Sequence, residues 1–356
     1  MQYLQRQQHV RRWLEESSLD AFLVTSAANV RYLSGFGGEG YLVLAGQGAA
    51  LCTDSRYTLE AEQLDVEDLG VIINSNGYVD GALQWLGDQN ASRLAFEEHQ
   101  VTYAQYAKLC QVLTSANLEP VSGVVEKLRI VKEDSEVALV RSAAAIVSQA
   151  VAELFADLEP GLTEREIAME LDQRMVRGGA EGPAFSTIAA SGPNSALPHA
   201  RPGGRRLSSG EMLKIDAGCW VDGYCSDLTR TIWVGDDPTE QFRTVYSAVL
   251  AAQEAALATV KAGVACAEVD RTARQVLTEA GFGDNFTHGL GHGVGLEVHE
   301  GPRLSSRSDQ WLQSGMLVTV EPGVYISGWG GVRIEDLVLV TGDGCEILTD
   351  APKIRY

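Results

Sequence analysis

Four carboxylates sit in or at the ends of the most apolar, β-prone stretches of this 356-residue chain, and their placement constrains the fold more than any other feature. A charged side chain in an apolar strand needs a partner, because desolvating it unpaired is costly. The first two, Asp216 and Asp227, lie in LKIDAGCWVDGYCSDLTRTIWVG, residues 213–235, on either side of Asp222-Gly223. Asp-Gly between β-prone runs is a strong signal for a two-residue hairpin turn. A turn centred there sets Val221 opposite Tyr224 and Gly218 opposite Asp227, so Asp216 and Asp227 become diagonal neighbours on one sheet face. Two like charges this close are destabilising unless a cation lies between them. The hairpin by itself leaves open that one of the two is a solvated surface residue.

The other pair lies in GMLVTVEPGVYISGWGGVRIEDLVLV, residues 315–340, which reads as two strand-like runs with Glu321 closing the first and Glu335 inside the second. Either alone could face water at a sheet edge. Between the two pairs lies THGLGHGVGLEVHEGP, residues 287–302, where His288, His292 and His299, three of the chain's six histidines, fall together. Alternating glycines there let backbone approach a ligand closely, and His292 can present its imidazole to a metal. A GxGxxG phosphate loop does not fit, because Val294 occupies the last glycine position and no strand leads into a helix. Four carboxylates and one imidazole form a hard, oxygen-rich set suited to two divalent ions of the Mn2+ or Co2+ type.

The length predicts two domains. Residues 1–126 alternate helical and strand patterns: an amphipathic opening to Ser17, the apolar run Ala21–Val24, and a hairpin-like pair at 41–44 and 49–52 around Gln47-Gly48. Strand patterns at 71–74 and 94–96 then flank a helical stretch at 79–86, which predicts βαβ units and a mixed sheet. Beyond Ser122-Gly123, residues 128–158 read as one long helix, with Val137, Val140, Ala144 and Val147 at three- and four-residue steps. Residues 127–356 are therefore expected to form the second domain. Within it, GLTEREIAMELDQRMVRGGA from Gly161 resembles GVACAEVDRTARQVLTEAG from Gly263, 102 residues later, after a helix predicted over 240–260. The repeat predicts two similar αβ halves with a site between them that draws ligands from both.

The formal charge of −20 repels phosphate backbones and anionic lipid, so nucleic acid and membrane surfaces are poor partners. Six cysteines without a CxxC pair read as reduced thiols. The opening residues have no apolar signal region, and no uninterrupted apolar run reaches the length of a membrane span. A cytoplasmic protein, neither exported nor anchored, is the expectation.

The motifs IDAGxxxxGYxSDLTRT, GHGVGLEVHE, TVEPGVY and VRIEDLVLV follow in this order, and across residues 128–345 the chain resembles the pita-bread metallopeptidases, the group of methionine aminopeptidase, aminopeptidase P and prolidase. The resemblance implies an α/β (α+β) fold in which a small mixed-sheet N-terminal domain precedes a pita-bread catalytic domain. It implies that Asp216, Asp227, His292, Glu321 and Glu335 bind two divalent ions, with His292 and Glu321 on one and Asp227 and Glu335 bridging both. Mn2+ is the expected metal, with Co2+ or Zn2+ as alternatives. Glu321 is then the proton-transfer group, His299 the oxyanion stabiliser, and His199, in PNSALPHARP, a further catalytic and substrate contact. The expected substrate-binding set is His199, His288, His299, Arg303 and Arg333. Arg303 could meet a dipeptide's terminal carboxylate or could be a surface or core-capping arginine.

The small domain in front sets the chain apart from methionine aminopeptidases, and creatinase lacks the metal-ligand set. What remains is metal-dependent hydrolysis of Xaa-Pro bonds, as a dipeptidase (prolidase) or as an aminopeptidase P acting on longer peptides. A metal-free binding protein on a peptidase fold is the alternative from another class. The family also implies a homodimer and a proline-containing di- or oligopeptide as substrate.

Overall fold

In the computed structural model, which describes residues 2–46, 48–89 and 91–356, the short apolar runs of the first unit (Met1–Arg129) pair into one six-stranded mixed sheet. Its order is Leu69–Ile73, Gly48–Thr53, Gly40–Ala45, Ala21–Val24, Arg93–Glu97 and Asn117–Val121. The hairpin runs in register from Gly40 opposite Thr53 to Ala45 opposite Gly48, while the pairs nearest both edges are parallel. Gln47, in the expected turn, lies outside the described residues. Helices Tyr78–Asp88 and Tyr103–Val112 lay Leu83, Leu86 and Leu109 onto Leu23, Val43 and Leu94. The strand Asn117–Val121 was not expected from the sequence. Its NLEPV has no buried alternation and contains proline, which a sheet tolerates at an edge.

The second unit is Ile130–Tyr356. The single helix expected over 128–158 is in fact broken. The helix Val124–Arg129 stops, Val131 bridges to Met316, and the Lys132 amide donates to the Gly315 carbonyl at 2.9 Å, pulling the backbone into strand-like pairing. The next helix, Asp134–Asp157, restarts where the Glu136 carboxylate accepts from the Glu133 amide at 2.9 Å. This helix is long and apolar enough by length and composition to cross a membrane. Here its Ala143, Val147, Val151 and Leu154 pack into a core with Ile167, Leu171, Leu213 and Ile215.

The 102-residue repeat is visible in three dimensions. Glu164–Arg177 and Cys266–Glu279 begin and end 102 residues apart, and the long helices Asp134–Asp157 and Glu240–Thr259 also end 102 apart. Gly161 and Gly263, which turn the chain between the helices of each pair, both have positive φ, 105° and 82°. Each half has its own antiparallel sheet. The first runs Leu228–Val234, Glu211–Ala217, Ile188–Ser191; the second runs Glu300–Leu304, Gly291–Gly293, Leu317–Val320, Asp336–Val340, Cys345–Ile347. Each half also has its own apolar core, the second built on Phe242, Val249, Val269, Leu277, Val318 and Val338.

The predicted hairpin turns at Asp222 (φ 46°) and Gly223 (φ 70°), the signature of a type I′ turn. Val221 pairs with Tyr224, and further out Ala217 pairs with Leu228, so one register is kept on both sides of Gly218 and Asp227. A Cβ at Gly218 would lie 1.9 Å from the Ser226 carbonyl oxygen, so the two strands approach more closely than any side chain allows. The stretch 315–340 differs from expectation: it forms four strands, Leu317–Val320, Gly323–Ile326, Gly330–Arg333 and Asp336–Val340. Glu335 is therefore not inside a strand but at a break, and Glu321 is at another. The cause is that their amides pair elsewhere, Glu321 with the Leu290 carbonyl at 2.9 Å and Glu335 with the Thr229 carbonyl at 3.0 Å.

Candidate metal centre

Breaks and strand ends put the acidic residues at the seam between the two halves. Asp216 lies near the end of Glu211–Ala217 and Asp227 just before Leu228–Val234, both from the first half; His292, Glu321 and Glu335 come from the second. Asp216, Asp227, His292 and Glu335 are buried and Glu321 is partly so. One cavity of about 540 Å3 is lined by all five, and also by His199, His288, His299, Arg303 and Arg333.

His292 Nδ1 faces the Gly293 carbonyl at 3.0 Å. A carbonyl can only accept, so Nδ1 carries the proton and Nε2 is left with a lone pair. Nε2 lies 3.4 Å from Glu321 Oε1 and 3.6 Å from Asp227 Oδ2. Burial pushes the imidazole down to about 3, so it is neutral at pH 7. A lone pair aimed at two carboxylates is repulsive unless a cation or proton stands between them. Asp227, His292 and Glu335 each bring a ligand atom within 4.8 Å of the others.

The carboxylates are under-satisfied in the same direction. Asp216 Oδ1, Asp227 Oδ1 and Glu335 Oε1 are buried without a hydrogen-bond partner, which is costly for an acceptor of this kind. Burial, and then the mutual repulsion of the cluster, raises Asp227 and Glu335 well above the usual carboxylate range. Burial lifts Glu321 to about 7, with Arg333 opposing and Asp216 adding to the rise. Orphaned carboxylate oxygens and a neutral imidazole nitrogen lining one cavity fit divalent cations.

Residues 138–342 match metallopeptidase family M24, and residues 6–131 match the creatinase/prolidase N-terminal domain. The chain belongs to metallopeptidase family M24. It is thus a metal-dependent hydrolase whose fold is that of the pita-bread peptidases, and family membership implies divalent metal ions. Among relatives of this M24 enzyme, a Xaa-Pro dipeptidase of Pyrococcus furiosus is 37% identical over 340 residues, 95% of each chain. The solved structure of a Xaa-Pro dipeptidase from Bacillus anthracis superposes with a TM-score of 0.95 at 37% identity, covering 99% of each chain. That of an X-Pro aminopeptidase from Thermotoga maritima superposes with a TM-score of 0.88, also at 37% identity, covering 95% of this chain and 97% of the other.

The M24 cavity brings together every residue expected from the sequence, but they are not equally available. His199, His299 and Arg303 are exposed at the cavity, and the His299 ring stands 4.4 Å from that of His292. His288 lines the cavity with both ring nitrogens bonded within the protein. Its Nδ1 donates to the Gly289 carbonyl (2.8 Å) and its Nε2 accepts from the Tyr325 hydroxyl (2.9 Å), so neither ring nitrogen is open to a ligand. Arg333 is also engaged by the protein. Nε donates to Thr229 Oγ1 (3.0 Å), Nη1 to the Pro198 carbonyl (3.1 Å) and Tyr325 Oη (3.0 Å), and Nη2 to Asp216. Sequence reasoning missed the hydroxyls that support the centre. Thr229 donates to Glu335 Oε2 (2.7 Å), and Thr319 accepts from the His292 amide (3.1 Å) while donating to Glu321 Oε1 (3.3 Å). Thr229 and Tyr325 lie within the quoted motifs, yet hydroxyl residues in a β-prone run carry no signal that separates support from surface.

Proposed function

We propose that this enzyme hydrolyses Xaa-Pro dipeptides, with Asp216, Asp227, His292, Glu321 and Glu335 holding two divalent ions, Mn2+ first among them. The observation that carries the substrate assignment is the end-to-end likeness to the Xaa-Pro dipeptidase of P. furiosus. When bound, the ions would polarise the scissile carbonyl and lower the pKa of the attacking water. Glu321 takes the water's proton at its carboxylate and passes it to the leaving proline nitrogen. Arg333 keeps Asp216 in place and sits 3.9 Å from Glu321 Oε2, which makes it a support of the ligand set. His299, exposed beside His292, stabilises the oxyanion, and His199, on the same cavity, contacts the substrate. Arg303, exposed on the cavity, suits a dipeptide's carboxylate. A homodimer follows from the family resemblance, and six free cysteines accord with a cytoplasmic setting.

The second reading, an aminopeptidase acting on longer Xaa-Pro peptides, is favoured by the likeness to the T. maritima X-Pro aminopeptidase. Product analysis with Mn2+ separates the two. The dipeptidase reading expects Ala-Pro to be cleaved, with Ala-Ala and a longer Xaa-Pro-Xaa peptide left largely intact. Release of the first residue from the longer peptide, with Ala-Pro untouched, would overturn it.

A further inference from the structure

Lys214 lies in the strand Glu211–Ala217, two residues before Asp216, and is completely buried. A buried lysine Nζ needs acceptors for its hydrogens. Its Nζ donates to the carbonyls of Leu197 (2.7 Å), Ser195 (3.0 Å) and Pro198 (3.4 Å), and it stands 5.0 Å from the centre of the Tyr325 ring. All three acceptors belong to one short segment, and the next residue in the chain is His199. The Leu197 and His199 side chains are exposed, and beyond them Ala200 is buried against Ile188 and Ala190. Polar contacts hold the stretch from Ser195 to Pro198. Arg333 Nη1 shares the Pro198 carbonyl with Lys214, and Ser195 Oγ accepts from the Gly331 amide at 2.8 Å. Lys214 and Arg333 thus converge on one carbonyl, whereas a methionine would fill the position with no donor to hold this backbone.

We propose that Lys214 is a positioning residue that holds the 195–198 backbone and thereby sets His199 at the cavity. The proposal rests on the reading of His199 as a substrate contact, and it concerns how that contact is kept in place. A displacement of about 1 Å at a substrate contact can cost on the order of 100-fold in rate.

The test compares Lys214→Met, His199→Ala and the double variant in the full-length, Mn2+-loaded enzyme, with Ala-Pro kinetics, metal stoichiometry and amide hydrogen exchange over residues 193–201. Lys214→Met should keep its metal, exchange faster in this segment, and lose about 10- to 100-fold in kcat/KM. The double variant should be no worse than the weaker single variant. In Lys214→Ala, n-propylammonium, which matches the atoms removed, should restore part of the lost activity. Should Lys214→Met fail to fold, this rescue decides the matter: no recovery at millimolar amine overturns the proposal. Unchanged exchange in Lys214→Met overturns it also, as does full additivity with His199→Ala. A wild-type rate for His199→Ala would instead remove the substrate contact itself, a failure of the underlying reading that is visible without any Lys214 variant.

Discussion

Glu321 combines two demands, and replacing it separates them. Glu321→Gln keeps the shape and one oxygen donor but removes the basic group, so turnover should fall about 10²- to 10⁴-fold while part of the metal is retained. Glu321→Ala should lose metal as well. Wild-type turnover by Glu321→Gln with its metal bound would rule out Glu321 as the base. The same carboxylates make metal-free stability depend on pH. Glu321 is raised from 4.5 to about 7, so its contribution is complete below about pH 4.5 and is lost as pH rises through about 7, and Asp227 and Glu335, raised well above the usual carboxylate range, act in the same sense. His288 and His292, lowered to about 4 and about 3, act in the opposite sense, but above their unfolded value of 6.5 they contribute little further change. Lys214, lowered to about 6, also acts in the opposite sense, with metal or without it, so what should grow from pH 6.5 upward is the thermal stabilisation that Mn2+ gives over the chelated protein. Parallel melting curves with and without metal would contradict this. The residues bearing charge were legible because carboxylates in apolar strands are anomalous. The supporting hydroxyls were not, since Thr229 and Thr319 look like any strand threonine until their partners from elsewhere in the chain are known.

At the level of elements, the hairpin that carries Asp216 and Asp227 depends on one glycine. A methyl group at Gly218 has no room beside the Ser226 carbonyl, and the strands must part to admit it. Gly218→Ala should cost about 1–3 kcal/mol as overpacking and should weaken metal binding more than a core substitution of equal destabilising effect. Thermal denaturation alongside metal titration measures both, and wild-type affinity for Mn2+ would refute the coupling. The hairpin was readable because Asp-Gly dictates its own local turn. The four-strand division of 315–340 was not, because the breaks at Glu321 and Glu335 come from amides that pair with Leu290 and Thr229, partners remote in sequence. The break at 130–133 has the same origin, since a helical periodicity cannot announce that Gly315 is waiting for the Lys132 amide.

For the molecule as a whole, the chelated enzyme should lose hydrolytic activity and recover it with Mn2+ or Co2+, because the orphaned oxygens of Asp216, Asp227 and Glu335 are left with nothing to bind. Full activity in protein shown to be free of metal would refute the dinuclear reading. The two-half architecture was foreshadowed by a faint repeat, which the matching helix ends 102 residues apart make concrete. That repeat has a further consequence. Each half owns a separate apolar core, but the ligands are divided between them, and the link from Val234 to Thr239 crosses an exposed stretch. Cutting the chain there would give two pieces able to collapse on their own yet inert apart. Mixed with a divalent ion, they should reassociate into a working peptidase, because the ion adds its ligands to the direct contacts between the halves, such as Thr229 with Glu335 and Arg333 with Asp216, so that a catalytic cofactor would serve as part of the glue of a split protein.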